Sequence, residues 1–232
     1  ALGWCQVLLS AAIAWAAHVT GESLPYWPIN PSISTSLSYM FQLDLLRSLW
    51  VMLPAALLWG ASFPLALGAV ATGQKDPAKL VGGVYAANTV GAIFGALVVS
   101  LGLVGTVGSQ VAQQVLIGFA ALSGLLMVAP GLMRGEGNRQ PQPSAALALV
   151  AIVAIGSGLL ARSVPPLPGI LVAYGRYAAT WLGINDIIYV GEGVTASVAV
   201  SRTPSGTLNY HNAGKVQASS ELFCWSWAAS VA

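Results

Sequence analysis

WGASFPLALGAVATGQKDPAKLVGGVYAANTVGAIFGALVVSLGLVG (residues 59–105) decides how the chain is read. It joins the end of one apolar segment to a short charged loop, then to a second apolar segment dense in glycine and alanine. From Leu80 to Met133 there is no Asp, Glu, Lys or Arg. A membrane-crossing helix needs about 20 apolar residues, so this uncharged stretch is long enough for two spans and a tight turn. Gly102, Gly105 and Gly108 at its middle superficially resemble a phosphate-cradling loop. That motif requires a strand before it and an acidic residue after it, and here the glycines join two apolar segments.

Composition agrees with this reading. Charged residues are only 7% of the 232, against about 25% in ordinary soluble domains, and mean hydropathy is +0.74. So few charges cannot coat a soluble core, and the expected partner is a lipid bilayer. A net charge of +2, with no basic run interleaved with aromatics, excludes nucleic acid as a partner. Cys5 and Cys224 lack companions at metal or redox spacing, and no metal site is expected. No basic region precedes the first apolar segment, so a signal peptide is not expected; the chain reads as a fragment with earlier spans missing.

The expected fold is mainly α: a polytopic transmembrane bundle of about five spans followed by a short β-hairpin. The apolar segments cover about 2–19, 43–71, 80–104, 110–132 and 145–161. Residues 21–41, with Pro25, Pro28, Pro31, Tyr26, Trp27 and Tyr39, cannot continue a helix and read as an extracytoplasmic loop with interfacial aromatics. His18 and Glu22 stand four apart, as at a helix end meeting headgroups. Asp44 and Arg47, at i and i+3, can share a helix face. They read either as an interfacial ion pair or as intramembrane polar residues facing a pathway. Pro54 and Pro64 are expected to kink the second segment. Gly91 and Gly95 form a GxxxG pair suited to close helix packing, and Asn88 borders it as an interhelical hydrogen-bonding residue.

After Arg162 the character changes. Residues 162–185 read as a linker on or near the membrane surface, and from Asp186 the pattern turns to period two. Val194, Ala196, Val198 and Val200 alternate with Thr195, Ser197, Ala199 and Ser201, as in a half-buried strand. Pro204-Ser205-Gly206 supplies a turn into a return strand. An isolated hairpin is not stable, so it is expected to open a larger domain over 186–220, with a divergent tail at 221–232.

Three stretches carry a resemblance: GASFPLA at 60–66, YAANTVGAIFGAL at 85–97, and EGVTASVAVSRTPSGTLNYHNAGKVQASS at 192–220. In this order they resemble the membrane-fused spermidine synthase-like proteins, in which a major-facilitator-like helical region precedes a polyamine synthase domain. The resemblance implies an aminopropyltransferase in polyamine biosynthesis, with decarboxylated S-adenosylmethionine as co-substrate and a putrescine-like amine as acceptor. It also implies an integral protein of the bacterial inner (plasma) membrane. It assigns Gln217 as a substrate contact and Gly214 as the glycine of the turn before it; an ordinary exposed strand residue is the equal alternative for Gln217. The family's glycine-rich nucleotide loop and catalytic Asp have no counterpart before ELFCWSWAASVA, so no catalytic residue is expected in this chain. Two further readings remain: a transporter or channel-like bundle using Asp44, Arg47 and Asn88, and a passive anchor for the β-domain.

Lys75, Lys79, Arg134 and Arg139 put their two loops in the cytoplasm. Five spans then leave the hairpin outside, away from cytosolic nucleotide. Either residues 167–184 re-enter the membrane, which places Arg176 at a cost of about 2.5–3.5 kcal/mol if at bilayer centre, or the β-domain does not do cytosolic chemistry.

Overall fold

The computed structural model describes residues 1–27, 36–71, 76–134 and 143–221. The calls on Pro28, Pro31, Lys75, Arg139 and the tail after Glu221 lie outside them. Five long helices form in the order expected: α1 Leu2–His18, α2 Leu37–Val70, α3 Pro77–Leu97, α4 Gly105–Arg134 and α5 Pro143–Arg162. Asp76 caps α3, its carboxylate accepting from the Ala78 amide at 3.0 Å, with Pro77 in the first turn where its missing N–H costs nothing. Pro54 and Pro64 lie inside α2, and helix is nevertheless assigned without a break from Leu37 to Val70.

Four helical lengths are long and apolar enough to cross a membrane: Leu2–Tyr26, Leu37–Val70, Ala78–Met133 and Pro143–Arg162. The third runs 56 residues and contains both central apolar segments, which accounts for four lengths where about five spans were expected. It is not one straight rod. Residues Val98–Val104 are wound as π-helix, and Gly108 leaves helical geometry altogether, at φ 81° and ψ 170°. Only glycine takes such a backbone without strain.

The chain divides into two compact units, one of Ala1–Val19 and Phe41–Pro165, the other of Thr20–Met40 and Pro166 onward. In the first, α1 packs chiefly on α4, and α4 on α5. Gly3 and Gly124 make the α1–α4 crossing possible. A Cβ on Gly124 would stand 2.7 Å from Val7 Cγ2, and one on Gly3 would stand 2.4 Å from Val128 Cγ2. Gln6 and Ser123 meet beside this crossing at 3.3 Å. Ala14, Ala17, Ile117 and Val164 form the buried cluster, and the Gln110 amide donates to the Val164 carbonyl at 2.9 Å, satisfying a backbone acceptor just past α5. Outward, Leu57, Trp59, Phe94, Phe119, Leu126, Ile152 and Ile155 are all exposed. In water that would be an untenable apolar surface, and in hydrocarbon it is the ordinary one.

In the second unit the expected hairpin is the middle of a four-stranded antiparallel sheet, ordered β1 (Asp186–Glu192), β2 (Ser197–Arg202), β3 (Leu208–Asn212) and β4 (Lys215–Ser219). The period-two reading correctly found a half-buried strand and took Val198 and Val200 as the apolar phase. It is Ala199 and Ser201 that are fully buried, while Val198 and Val200 are half-exposed. What covers Ala199 is the stretch read as a linker. Helix α6 (Gly169–Tyr174) and the 3₁₀ segment Gly175–Thr180 belong to the same unit as the sheet, and Val172, Ala173 and Tyr174 pack with Ala199 as its core. Gly169 permits the approach, since a Cβ there would stand 2.7 Å from Ile187 and 2.8 Å from Val190.

Candidate functional site

The site is built on the α6 side of the sheet. Helix α6 ends at Gly175, which turns the chain at φ 54°. The β3–β4 turn arrives against that point: Gly214, at φ 77°, would place a Cβ 3.2 Å from the Gly175 backbone, and its amide donates to the Val172 carbonyl at 3.2 Å. The turn is a tight two-residue one in which both Ala213 and Gly214 have positive φ, the primed geometry that matches strand twist. Two glycines in backbone contact therefore dock the hairpin tip onto the end of α6.

Beside this contact lies a half-open cleft of about 380 Å³. Tyr174, Tyr177 and Trp181 form its aromatic wall, with the Tyr174 and Trp181 rings stacked 4.9 Å apart and 9° from parallel. Asn185, Thr203 and Asn209 supply amides and a hydroxyl, and Gly214 and Val216 close the β4 side. The lining contains no carboxylate and no basic side chain.

Behind the wall runs a buried polar relay. The Asn185 amide donates to the Tyr174 hydroxyl at 2.6 Å, that hydroxyl donates to Ser201 Oγ at 3.4 Å, and Ser201 meets His211 Nε2 at 2.8 Å. Which of Ser201 and His211 donates is set by the imidazole tautomer. Nδ1 makes no well-formed hydrogen bond. Ser201 and His211 are wholly buried, and the imidazole stands edge-on to Tyr174 at 4.8 Å. Burial pushes the His211 pKa below its ordinary value, and the Ala173 backbone offsets that only in part. The Ser–His pair is sealed from solvent behind the cleft wall.

Of the residues expected to act, Gly214 lines the cleft. Gln217 is exposed on β4 and sits at a β-bulge: Tyr210 pairs with Ala218 and His211 with Val216, leaving Gln217 as the extra residue. Such bulges re-aim a side chain. The others lie in the helical unit. Arg47 is buried in α2 with Asp44 half-buried one turn before it, and Asn88 is exposed on α3. No described residue comes within 4 Å of a Cβ built on Gly91 or Gly95, so the expected close helix packing is not made among the described residues. The motif stretches 60–66 and 85–97 do meet, through the edge-to-face pair of Phe63 and Tyr85 at 4.8 Å. Among the described residues no group of three or more His, Cys, Asp or Glu could hold a metal ion. Comparisons of the chain with known protein families, with curated proteins and with solved structures return no match.

Proposed function

We propose that this chain is the membrane-anchored, amine-binding front part of a spermidine synthase-like protein of the bacterial inner membrane, and that its cleft takes a putrescine-like amine. The observation that carries the reading is the uncharged aromatic cleft of Tyr174, Tyr177 and Trp181, built by the same stretch whose sequence resembles the synthase sheet. Ring faces attract an alkylammonium group, by about 0.5–2 kcal/mol each according to how far it is desolvated. The Asn185 and Asn209 amides offer carbonyl acceptors for its N–H groups. Gln217, set out by its bulge, and Gly214 at the turn are the chain's further contributions.

The lining does not fit the nucleoside co-substrate. It has no carboxylate to take both hydroxyls of a ribose diol at once, and no aminopropyl transfer is derived from these residues. The full chain in nanodiscs, titrated with putrescine and with spermidine by calorimetry, is expected to bind at least one of them saturably, and Trp181→Ala to weaken binding about tenfold. Absence of saturable binding by both amines overturns the reading. The same preparation, given putrescine and decarboxylated S-adenosylmethionine, is expected to form no spermidine.

A second reading is favoured by Arg47, only 7% exposed on an otherwise apolar helix. A buried intramembrane cation points to a transport pathway. Under that reading Arg47→Ala and Asp44→Ala abolish uptake of labelled polyamine by cells expressing the chain, while Trp181→Ala does not.

A further inference from the structure

Among the exposed large apolar side chains of the sheet unit, four stand close together in sequence between Tyr177 and Ile184. In the turn after the 3₁₀ segment Gly175–Thr180, Leu182 is 41% and Ile184 49% exposed, and Trp181 and Tyr177 are open to similar degrees. Gly183 takes φ 71° to make the turn that presents Leu182 and Ile184 on either side of it. Arg176, whose guanidinium stands 5.3 Å from the Tyr177 ring centre, is the only charged side chain from 176 to 185. Leu24–Tyr26, itself a short 3₁₀ turn with Tyr26 56% exposed, packs against Gly175–Thr180. An aromatic and aliphatic surface with one arginine has the composition of a membrane–water interface.

Two covalent tethers determine where this surface has to be. Leu24 follows the end of α1 at His18 by six residues, and those between are coiled as π-helix. Pro166, where the sheet unit resumes, follows the end of α5 at Arg162 by four. Four residues span at most about 14 Å even when fully extended. The helical length Leu2–Tyr26, which takes in α1 and the turns after it, and α5 are each long and apolar enough to cross a membrane, so both connections to the sheet unit lie at a span end. The sheet unit is thus held within one tether length of the headgroup layer at two points, and the exposed turn lies next in sequence to the contact between them. At such proximity even a weak interfacial affinity is effectively intramolecular.

We infer that the turn 181–184, with Tyr26 and Tyr177 beside it, is seated in the headgroup and upper acyl region of the membrane that the same chain spans. The occupant of this apolar surface is lipid. Leu182 and Ile184 enter the interface as aliphatic anchors, Trp181 and Tyr177 lie at headgroup level, and Arg176 meets lipid phosphate. Leu182 and Ile184 do not line the cleft, whereas Trp181 and Tyr177 form its wall, so the seat and the cleft share those two rings and the labels are placed only on the aliphatic anchors.

The test uses the full chain in phosphatidylglycerol–phosphatidylcholine nanodiscs, with Cys5 and Cys224 changed to serine. Nitroxide labels are placed singly at Leu182→Cys, at Ile184→Cys and, as reference, at Thr195→Cys in the exposed β1–β2 turn. Oxygen partitions into lipid and a nickel chelate into water. The oxygen-to-nickel accessibility ratio is expected to be at least threefold higher at 182 and 184 than at 195. Ratios equal to the reference overturn the seat. Labels shielded from both reagents put a second copy of the chain on this surface, and that overturns it too. Amine binding by the labelled chains, measured in the same discs, reports on the cleft separately.

Discussion

His211 is the residue whose chemistry reaches furthest. It is wholly buried, and its pKa is held below the ordinary 6.5 by desolvation. The unfolded chain therefore binds a proton that the folded chain refuses. Stability from this group is complete above pH 6.5 and is lost as pH falls below it, by up to about 1.4 kcal/mol per pH unit until the folded imidazole protonates. The protection of amides in β2 and β3, taken as exchange relative to the intrinsic rate at each pH, is expected to fall between about pH 7.5 and about pH 5.5, and His211→Gln, which keeps an amide for Ser201 but has no titration, to flatten that dependence. A pH response unchanged in the variant would assign it elsewhere. Ala213 makes a separate point. It holds φ 50° in a turn that favours Asn or Gly, and Ala213→Asn is expected to stabilise the sheet by about 0.5–1 kcal/mol, read as a raised melting temperature of the full chain.

At the scale of the elements, two glycine pairs that look alike behave oppositely. Gly124 faces Val7 and the Gly3 carbonyl across the α1–α4 crossing, with no room for a side chain, whereas Gly91 and Gly95 face open space. Gly124→Leu is expected to cost about 1–3 kcal/mol or more through overpacking, while Gly95→Leu leaves the melting temperature of the detergent-solubilised chain within about a degree. GxxxG is a local spacing and so shows in the sequence, while the Gly3–Gly124 contact depends on how two helices distant in the chain cross and does not. The long helices were legible because their apolar runs are long enough to need no partner. The strands were legible in period and not in phase: Ser201 and His211 are polar residues on the buried face, linked to each other and to Tyr174, and no spacing rule predicts such a pairing. The cleft was hidden for a related reason. Tyr174, Tyr177, Trp181 and Asn185 stand in a run broken by SVPPLPG, which marks the end of α5 but says nothing of the sheet that α6 goes on to cover. Of the cleft itself, only Gly214 was singled out in advance.

For the molecule as a whole, the contact of Leu24–Tyr26 with Gly175–Thr180 restricts the topology. Two segments that touch outside a bilayer lie on the same side of it, so the chain between them crosses an even number of times. With α2 and α5 each long and apolar enough to cross once, Ala78–Met133 has the length for two crossings and is expected to make both, reversing in the region of Val98–Gly108 where regular helix fails. The stretch 167–184, folded against the sheet, is not a further span. With Lys75 and Lys79 on the cytoplasmic side, the sheet is expected on the other side, apart from cytosolic nucleotide. A cysteine at Ser205, in a chain whose own two cysteines are serine, should react with an impermeant maleimide added to intact cells; protection would place the sheet inside and restore its access to nucleotide. The same contact also sets a timetable for biosynthesis. Leu24–Tyr26 leaves the ribosome about 150 residues ahead of Gly175–Thr180, which at about 5–20 residues per second is a wait of roughly 7–30 s. Through that interval the first turn of the sheet unit has no partner, while helices α2 to α5 are still being made. The sheet unit is therefore completed by a piece made about 150 residues earlier, and a stalled or misplaced helix anywhere between them leaves both halves exposed.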